Sequence, residues 1–214
     1  MVELKFGWKT IDLPYTIYVP DVTEEMFDEL VDEDTKAELL DGVMIVHSPA
    51  SPPHNRTAGF LRNLMDCFTE ERNLGSVYGP DDLVHLATCR KFAPDVFFLQ
   101  RHRVPRPLPT HQFETRPDLL IEVLSSSNRR DDLEDKRPAY REARIGEIWF
   151  VDRDEQQIII DRLGKKTYRT SVVSEGRIVS SVVEGFWVDA AWLWTDPHPG
   201  VVACLRKILK TGLQ

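Results

Sequence analysis

Apolar residues recur along this chain with two different periods, and each period predicts a different kind of element. Over 54–73 they return every three or four residues, which predicts a helix with one face in the core. The segment 37–40 is separated from 43–46 by an Asp-Gly pair, which is typical of tight turns between antiparallel strands. The pattern therefore predicts a hairpin and then, beyond a Ser- and Pro-rich loop at 48–53, a core-facing helix.

Shorter apolar runs along the chain predict further strands, which together with the hairpin would form a sheet. The runs at 93–99 and 117–124 are the most apolar, so we expect these strands at its centre. Thr23 can cap a short helix, a charged helix is predicted over 131–143, and an amphipathic helix is predicted over 201–210. The other predicted strands are 76–79, 83–87, 146–151, 156–163 and 166–173. This order predicts an α/β (α+β) fold with a mixed central sheet flanked by helices.

The charge of the chain is unevenly distributed. A net charge of −8 argues at first against a nucleic-acid partner, because phosphate binding needs local positive charge. Residues 1–45 hold 12 acidic and 3 basic residues, so the rest of the chain has a balance of about +1. Residues 101–144 carry 10 Lys and Arg against 8 Asp and Glu. Nucleic acid therefore stays among the candidate partners, although this basic excess is weak support by itself.

The sequence predicts a cytoplasmic protein with no membrane partner. Its apolar stretches are far shorter than the roughly 20 residues that span a bilayer. The first residues lack the basic start and apolar run of a secretion signal. Cys67, Cys89 and Cys204 are widely spaced without a Cys-x-x-Cys pair, which favours reduced packing residues.

Two acidic residues, Asp95 and Glu122, interrupt strands that are otherwise apolar. A buried carboxylate costs several kcal/mol, roughly, unless it is paired or bound to a cation. A shared divalent metal would meet that need, and oxygen ligands suit Mg²⁺; strand ends in solvent or in salt bridges are the alternative. Lys136 falls on the next predicted helix and could lean over the end of the Glu122 strand to stabilise a phosphoryl transition state. A solvated helix lysine is the alternative for Lys136.

Several short motifs follow one another in a fixed order. They are Glu38-Leu39-Leu40-Asp41-Gly42, Ser48-Pro49 with His54, Pro94-Asp95, Glu122-Val123-Leu124-Ser125, Asp132 with Lys136 and Tyr140, and Gly146-Glu147-Ile148-Trp149 with Val151-Asp152. Together they resemble the Uma-two family of endonucleases, within the restriction-endonuclease-like PD-(D/E)XK superfamily, over roughly residues 20 to 195. The resemblance implies a nuclease-like domain with an N-terminal hairpin over 21–196. The residue pattern predicts an irregular segment over 1–20 before it and a helical extension over 197–214 after it.

The resemblance also implies a metal site and a catalytic lysine. Asp95 and Glu122 match the metal-binding acids, and the Val123 carbonyl takes the place of a main-chain ligand. Lys136 matches a catalytic lysine that has moved to the helix, because the usual strand position is Leu124 here.

Other positions match the family with less defined roles. Glu38 matches an additional catalytic acid from the first part of the fold. The positions matched as lining the site are His54, Asp132 and Tyr140. Ser126 stands where the family usually has proline, and Ile148 where it usually has tyrosine; neither belongs to the metal set.

Basic residues are expected around this site as contacts for nucleic acid. Arg129, Arg130 and Arg137 follow the Glu122 strand directly. The segment 100–116, rich in Pro, Arg and His, is predicted to be an exposed loop that either covers substrate or is a simple insertion. Its arginines, Arg101, Arg103 and Arg106, are further candidates.

The leading hypothesis is an endonuclease that uses Mg²⁺, with Mn²⁺ as an alternative ion, to hydrolyse phosphodiester bonds of nucleic acid. DNA is the favoured substrate. The sequence leaves open whether the protein forms a homodimer. The alternatives are a catalytically silent nucleic-acid-binding or assembly module on the same fold, and a structural dimer whose acidic N-terminal part mimics nucleic acid. The four residues Glu38, Asp95, Glu122 and Lys136 favour the enzyme, because converging acids repel phosphate when metal is absent.

Overall fold

The computed structural model describes residues 5–6, 9–10, 15–32, 35–125 and 128–211. The strands are β1 (Lys5–Phe6), β2 (Lys9–Thr10), β3 (Thr16–Val19), β4 (Ala37–Leu40), β5 (Val43–His47), β6 (Gly75–Tyr78), β7 (Leu83–Ala87), β8 (Arg90–Phe92), β9 (Val96–Gln100), β10 (Gln112–Phe113), β11 (Leu119–Leu124), β12 (Glu147–Asp152), β13 (Gln157–Leu163), β14 (Tyr168–Val173), β15 (Arg177–Val179) and β16 (Trp187–Asp189). The helices are α1 (Glu24–Leu30), α2 (Pro52–Arg72), α3 (Arg137–Glu142), α4 (Ala190–Trp194) and α5 (Val201–Thr211). A π-helical turn over Asp131–Lys136 runs directly into α3.

Two six-stranded mixed sheets form the body of the described chain. One has the order β10-β7-β8-β4-β5-β3, and the other has the order β14-β13-β12-β11-β9-β6. In the second sheet, β11 lies at the centre, parallel to β12 and antiparallel to β9. The predicted mixed sheet flanked by helices is confirmed. Of the two strands expected at its centre, β11 is central, whereas β9 lies next to the edge strand β6.

The hairpin of β4 and β5 forms as its Asp-Gly turn predicts. Leu40 pairs with Val43, so the turn contains two residues only. Asp41 and Gly42 have φ angles of 49° and 86°, and two positive values in succession match the twist of antiparallel strands. The hairpin fixes Glu38 on a strand whose residues 37–39 are all buried.

Helix α2 packs its apolar face against the second sheet. The residues of its predicted core face, Phe60, Leu61, Leu64, Met65 and Phe68, are all buried in one cluster with residues of β9, β11 and β12. Ser51 caps its first turn, and the chain leaves its last turn through a left-handed residue at position 73. The prediction of a core-facing helix is confirmed.

The C-terminal part closes the same core. Trp187 and Trp192 are buried with their ring centroids 5.1 Å apart, so these tryptophans serve packing, as expected of aromatics near a chain end. Helix α5 forms within the predicted extension and packs Cys204 and Ile208 into the cluster that contains α2. Among the described residues, no helix has both the length and the apolar character needed to cross a bilayer.

Some predictions differ from the structure. The segment predicted as irregular contains β1 and β2, which pair with each other, and β3, which pairs with β5. The partly buried β3 has a mixed pattern that gives no clear period. The predicted loop 100–116 contains β10, which pairs in parallel with β7. Cys67 is exposed on α2, so it is not a packing residue, whereas Cys204 is buried; the described cysteines are all free. The family departure at Ser126 lies outside the described residues.

Candidate active site

The two acids predicted to bind metal lie side by side on neighbouring strands. Asp95 immediately precedes β9, and Glu122 is in β11, whose residue Ile121 pairs with Val96. The Asp95 N–H donates to Glu122 Oε2 at 3.2 Å, and the Val123 N–H donates to Asp95 Oδ2 at 2.8 Å. Only 5% of Asp95 and 3% of Glu122 is exposed. The sheet register therefore brings both carboxylates to one buried place, as the sequence predicted.

Lys136 lies in the same cluster and is held by acids from two elements. Its Nζ is 2.6 Å from Glu38 Oε2 and 3.0 Å from Asp132 Oδ1, while Glu122 Oε1 is 3.9 Å away. Asp132 and Lys136 are four residues apart in the π-helical turn, so they share one face of it. The helix thus places the lysine over the end of β11, as its spacing from Glu122 predicted.

Charges in this cluster act strongly on one another. Burial raises the pKa of Glu122 well above its ordinary value, and the nearby Asp132, Asp95 and Glu38 raise it further, against the effect of Lys136. Burial also raises the pKa of Asp132, to about 6. Burial opposes the charge of Lys136, but these surrounding acids outweigh it and hold its pKa well above the ordinary range. The surrounding acids therefore favour the protonated form of Lys136.

The excess of buried carboxylate fits a divalent cation. Asp95 and Glu122 offer oxygen ligands, and Mg²⁺ is commonly held by one or two carboxylates with water and substrate phosphate completing its shell. Among the described residues, no group of three or more His, Cys, Asp or Glu side chains is arranged as a preformed metal site. Carboxylate oxygens of this kind suit Mg²⁺, whereas structural zinc is held mainly by thiolates and imidazoles. The Val123 carbonyl as a third ligand stays a prediction.

Two of the positions predicted to line the site, His54 and Tyr140, contact its acids. The Tyr140 hydroxyl donates to Glu122 Oε1 at 2.6 Å, and His54 Nε2 lies 3.1 Å from Asp95 Oδ2. Burial favours the neutral ring of His54, but Asp95 more than offsets this effect and raises the pKa of His54 above its ordinary value. These contacts fix the orientation of both carboxylates before any ligand binds.

Sequence reasoning missed His47, which contacts the additional acid. Its Nε2 lies 2.8 Å from Glu38 Oε2. Burial opposes ionisation of Glu38, yet Lys136 and His47 together hold its pKa below the ordinary value. The hairpin register carried a signal for this contact: Glu38 pairs with Ile45, and residues two apart on a strand share a face.

Six of these groups line one cavity of about 510 Å³. Its walls are formed by residues of β3, β4, β5 and β11, by Asp95 before β9, and by the start of α2. Its titratable walls include Glu38, His47, His54, Asp95, Glu122 and Lys136.

The arginines predicted to contact nucleic acid are already engaged in ion pairs. Arg129 pairs with the buried Asp152, and the exposed Arg130 pairs with Glu134 at 2.9 Å. Arg137 Nε lies 2.7 Å from Asp161 Oδ2, on the far strand β13. Their contribution to nucleic-acid binding stays a prediction, which would require these ion pairs to be shared or exchanged.

The loop arginines lie far from the acids. Asp95 precedes β9 whereas Arg101 follows it, and a strand that rises about 3.3 Å per residue separates them by roughly 20 Å. Arg101 and Arg106 line a different pocket, and Arg103 pairs with Asp118. The expectation that these arginines gather around the site is therefore wrong, because it neglected the direction of β9.

Asp161 holds two arginines of α3 against the second sheet and should be important for stability. It accepts from both Arg137 and Arg141 and is fully buried. Burial opposes its ionisation, but the arginines hold its pKa below the ordinary value. We expect Asp161→Asn to lower the free energy of unfolding by roughly 3 kcal/mol near pH 7. Urea unfolding at several pH values measures this difference.

The effect of Asp161→Asn on the free energy of unfolding should depend on pH in one direction. A carboxylate whose pKa is lowered by folding stabilises the folded state above its unfolded pKa of about 3.9, and this contribution is lost as pH falls below that value. The difference between wild type and Asp161→Asn should therefore shrink below about pH 4. Glu134→Gln, which alters an exposed pair, is the control and should change stability by less than about 1 kcal/mol. Equal stabilities for the two variants would contradict the structural role of Asp161.

Comparisons with known proteins identify the family and support the fold of this chain. A family model, Uma2, described as "Putative restriction endonuclease", matches residues 24–191. Among solved structures, the chain is similar to "a putative nuclease belonging to DUF820 from Anabaena variabilis ATCC 29413", with a TM-score of 0.66 and 17% sequence identity. That similarity covers 81% of this chain and 97% of the other chain, and at this identity it supports the fold alone. The search among curated proteins found no match. Because the family model spans most of the sequence, the chain belongs to the Uma2 family, the Uma-two family that its motifs resemble.

Proposed function

We propose that this protein is an endonuclease that depends on Mg²⁺, or alternatively Mn²⁺, and hydrolyses phosphodiester bonds of nucleic acid, with DNA as the favoured substrate. The observation that carries the proposal is the pair of buried carboxylates at the cavity wall: Glu122 accepts from the Asp95 N–H, and Asp95 accepts from the Val123 N–H. Family membership supports the same reaction class.

Five residues of the site have defined roles in this proposal. Asp95 and Glu122 would hold the ion, while His54 and Tyr140 keep the two carboxylates oriented. When bound, Mg²⁺ would polarise the phosphate and make water a better nucleophile. Lys136 remains protonated, so it would stabilise negative charge on the phosphoryl group instead of removing a proton from water.

Glu38 has a role through Lys136. Its carboxylate lies 2.6 Å from the lysine Nζ and also accepts from the Ala93 N–H at 3.0 Å. Because the backbone of β4 and the segment before Asp95 both hold Glu38, it fixes the lysine relative to the metal-binding acids. We therefore describe Glu38 as a positioning residue, although the family resemblance groups it with the catalytic acids.

Cleavage of closed circular DNA tests the proposal directly. We expect purified protein to nick or linearise a supercoiled plasmid with Mg²⁺ or Mn²⁺ and to leave it intact with EDTA. A circular substrate has no ends, so its cleavage identifies an endonuclease. Linear duplex, single-stranded DNA and RNA in parallel reactions define the substrate. Binding of DNA in Ca²⁺ without cleavage in any of these ions would instead favour the catalytically silent module.

A further inference from the structure

Lys36 is a cation of the cavity that the metal site does not use. It precedes β4 by one residue, is half-buried, and lines the same cavity as Asp95 and Glu122. It lies near enough to act electrostatically on both Asp95 and His54. In the part of the chain that the structure describes, no carboxylate forms an ion pair with the Lys36 ammonium group. Its charge is therefore available to a ligand in the cavity.

The other basic groups near the site are already engaged. Lys136 is held by Glu38 and Asp132, and it is only 6% exposed. The remaining pairs are His47 with Glu38, His54 with Asp95, and Arg129 with Asp152. A phosphate that approached any of these cations would have to displace a carboxylate first.

The N-terminus of α2 has no free backbone N–H groups with which to bind a phosphate in the cavity. Helix N-termini often bind phosphate through free backbone N–H groups. Here the helix begins with Pro52 and Pro53, which have no N–H, and the His54 N–H is directed to Ser51 Oγ at 3.4 Å. An anion at this wall of the cavity therefore has to be met by a side chain.

We propose that Lys36 forms a phosphate-binding subsite of this cavity and contacts the backbone of nucleic acid next to Asp95 and Glu122. The inference rests on the proposed function. Buried acids repel an approaching phosphate, and an ammonium group at the cavity wall that no described carboxylate pairs with offsets that repulsion. Lysine binds phosphate as a point charge, which requires no base sequence and suits a contact to the backbone. In this scheme Lys36 provides affinity, whereas Lys136 provides stabilisation of the reacting group.

Equilibrium binding separates these two roles. The probe is a fluorescent DNA oligonucleotide, titrated with protein in Ca²⁺ in place of Mg²⁺, with anisotropy measured over a series of salt concentrations. We expect Lys36→Ala to weaken binding about tenfold at low salt, as the loss of a charge-assisted contact does. The slope of log affinity against log salt should fall by about one. Lys36→Arg keeps the charge and should bind nearly as wild type does.

The control is Lys165→Ala, which removes the same charge from an exposed turn between β13 and β14. Its affinity and salt slope should match those of wild type. If Lys36→Ala behaves as Lys165→Ala does while wild type binds and cuts, the subsite is overturned and the proposed function stands. A wild-type protein that neither binds in Ca²⁺ nor cuts in Mg²⁺ overturns both. Lys36→Met, which keeps the aliphatic stem, replaces Lys36→Ala if circular dichroism shows that the alanine variant is misfolded.

Discussion

Replacing Asp95 by asparagine is expected to abolish both Mg²⁺ binding and cleavage. Asp95 is one of only two carboxylates assigned to the ion, and one remaining carboxylate is a poor Mg²⁺ site. Asparagine has nearly the same shape and can still accept from the Val123 N–H, so the backbone contact is kept. The cleavage rate should fall by more than roughly 10³, the upper end of what the loss of one preorganised donor costs.

Calorimetry and cleavage should be measured on the same preparation of Asp95→Asn. Titration with Mg²⁺ should give heat for wild type and none for the variant, and Glu122→Gln should behave in the same way. Asp154→Asn is the matched control, because Asp154 is exposed in the turn between β12 and β13 and outside the cavity. Normal metal binding by Asp95→Asn would place the ion elsewhere and would remove the main support for the proposed site.

The sequence could predict the centre of this site because strand pattern and chemistry agree there. Asp95 and Glu122 stand out as acids within apolar runs, and adjacent buried strands bring such residues together. Lys136 was identified because a helix that follows a strand returns over its end. The core face of α2 was also predictable, since the apolar residues from Phe60 to Phe68 recur at helical spacing.

What the sequence could not predict depends on partners that are distant along the chain. Arg137 lies close to the site in sequence, yet it pairs with Asp161, 24 residues away on β13. The loop arginines lie at the end of β9 opposite to Asp95. Counting charges along the sequence does not show to which end of a strand they belong. The free charge of Lys36 is likewise visible only once the partners of the other cations are known. The spacing of apolar residues shows which face of a helix or strand is buried, but the ion pairs depend on the tertiary arrangement.

Replacing Lys136 by methionine should lower the cleavage rate by roughly 10²–10³ while metal binding is retained. The lysine is 3.9 Å from Glu122 and remains protonated, so its part is to stabilise charge on the reacting phosphate. Single-turnover cleavage at saturating protein isolates this step from binding. The affinity for DNA in Ca²⁺ should change little, in contrast to Lys36→Ala.

Stability has to be separated from catalysis in this variant, because Lys136→Met leaves Glu38 and Asp132 buried without their cation. That loss should cost roughly 3–5 kcal/mol and lower Tm by about 10 °C. Lys91 provides a matched control: it is fully buried and pairs with Asp28 at 2.6 Å, but it lies outside the cavity. Lys91→Met should therefore lose stability without losing the rate of cleavage, when both variants are assayed well below their Tm. If Lys136→Met lowers Tm and still cuts as fast as wild type, the lysine is a structural ion-pair partner, and the charge stabilisation assigned to it must come from another group.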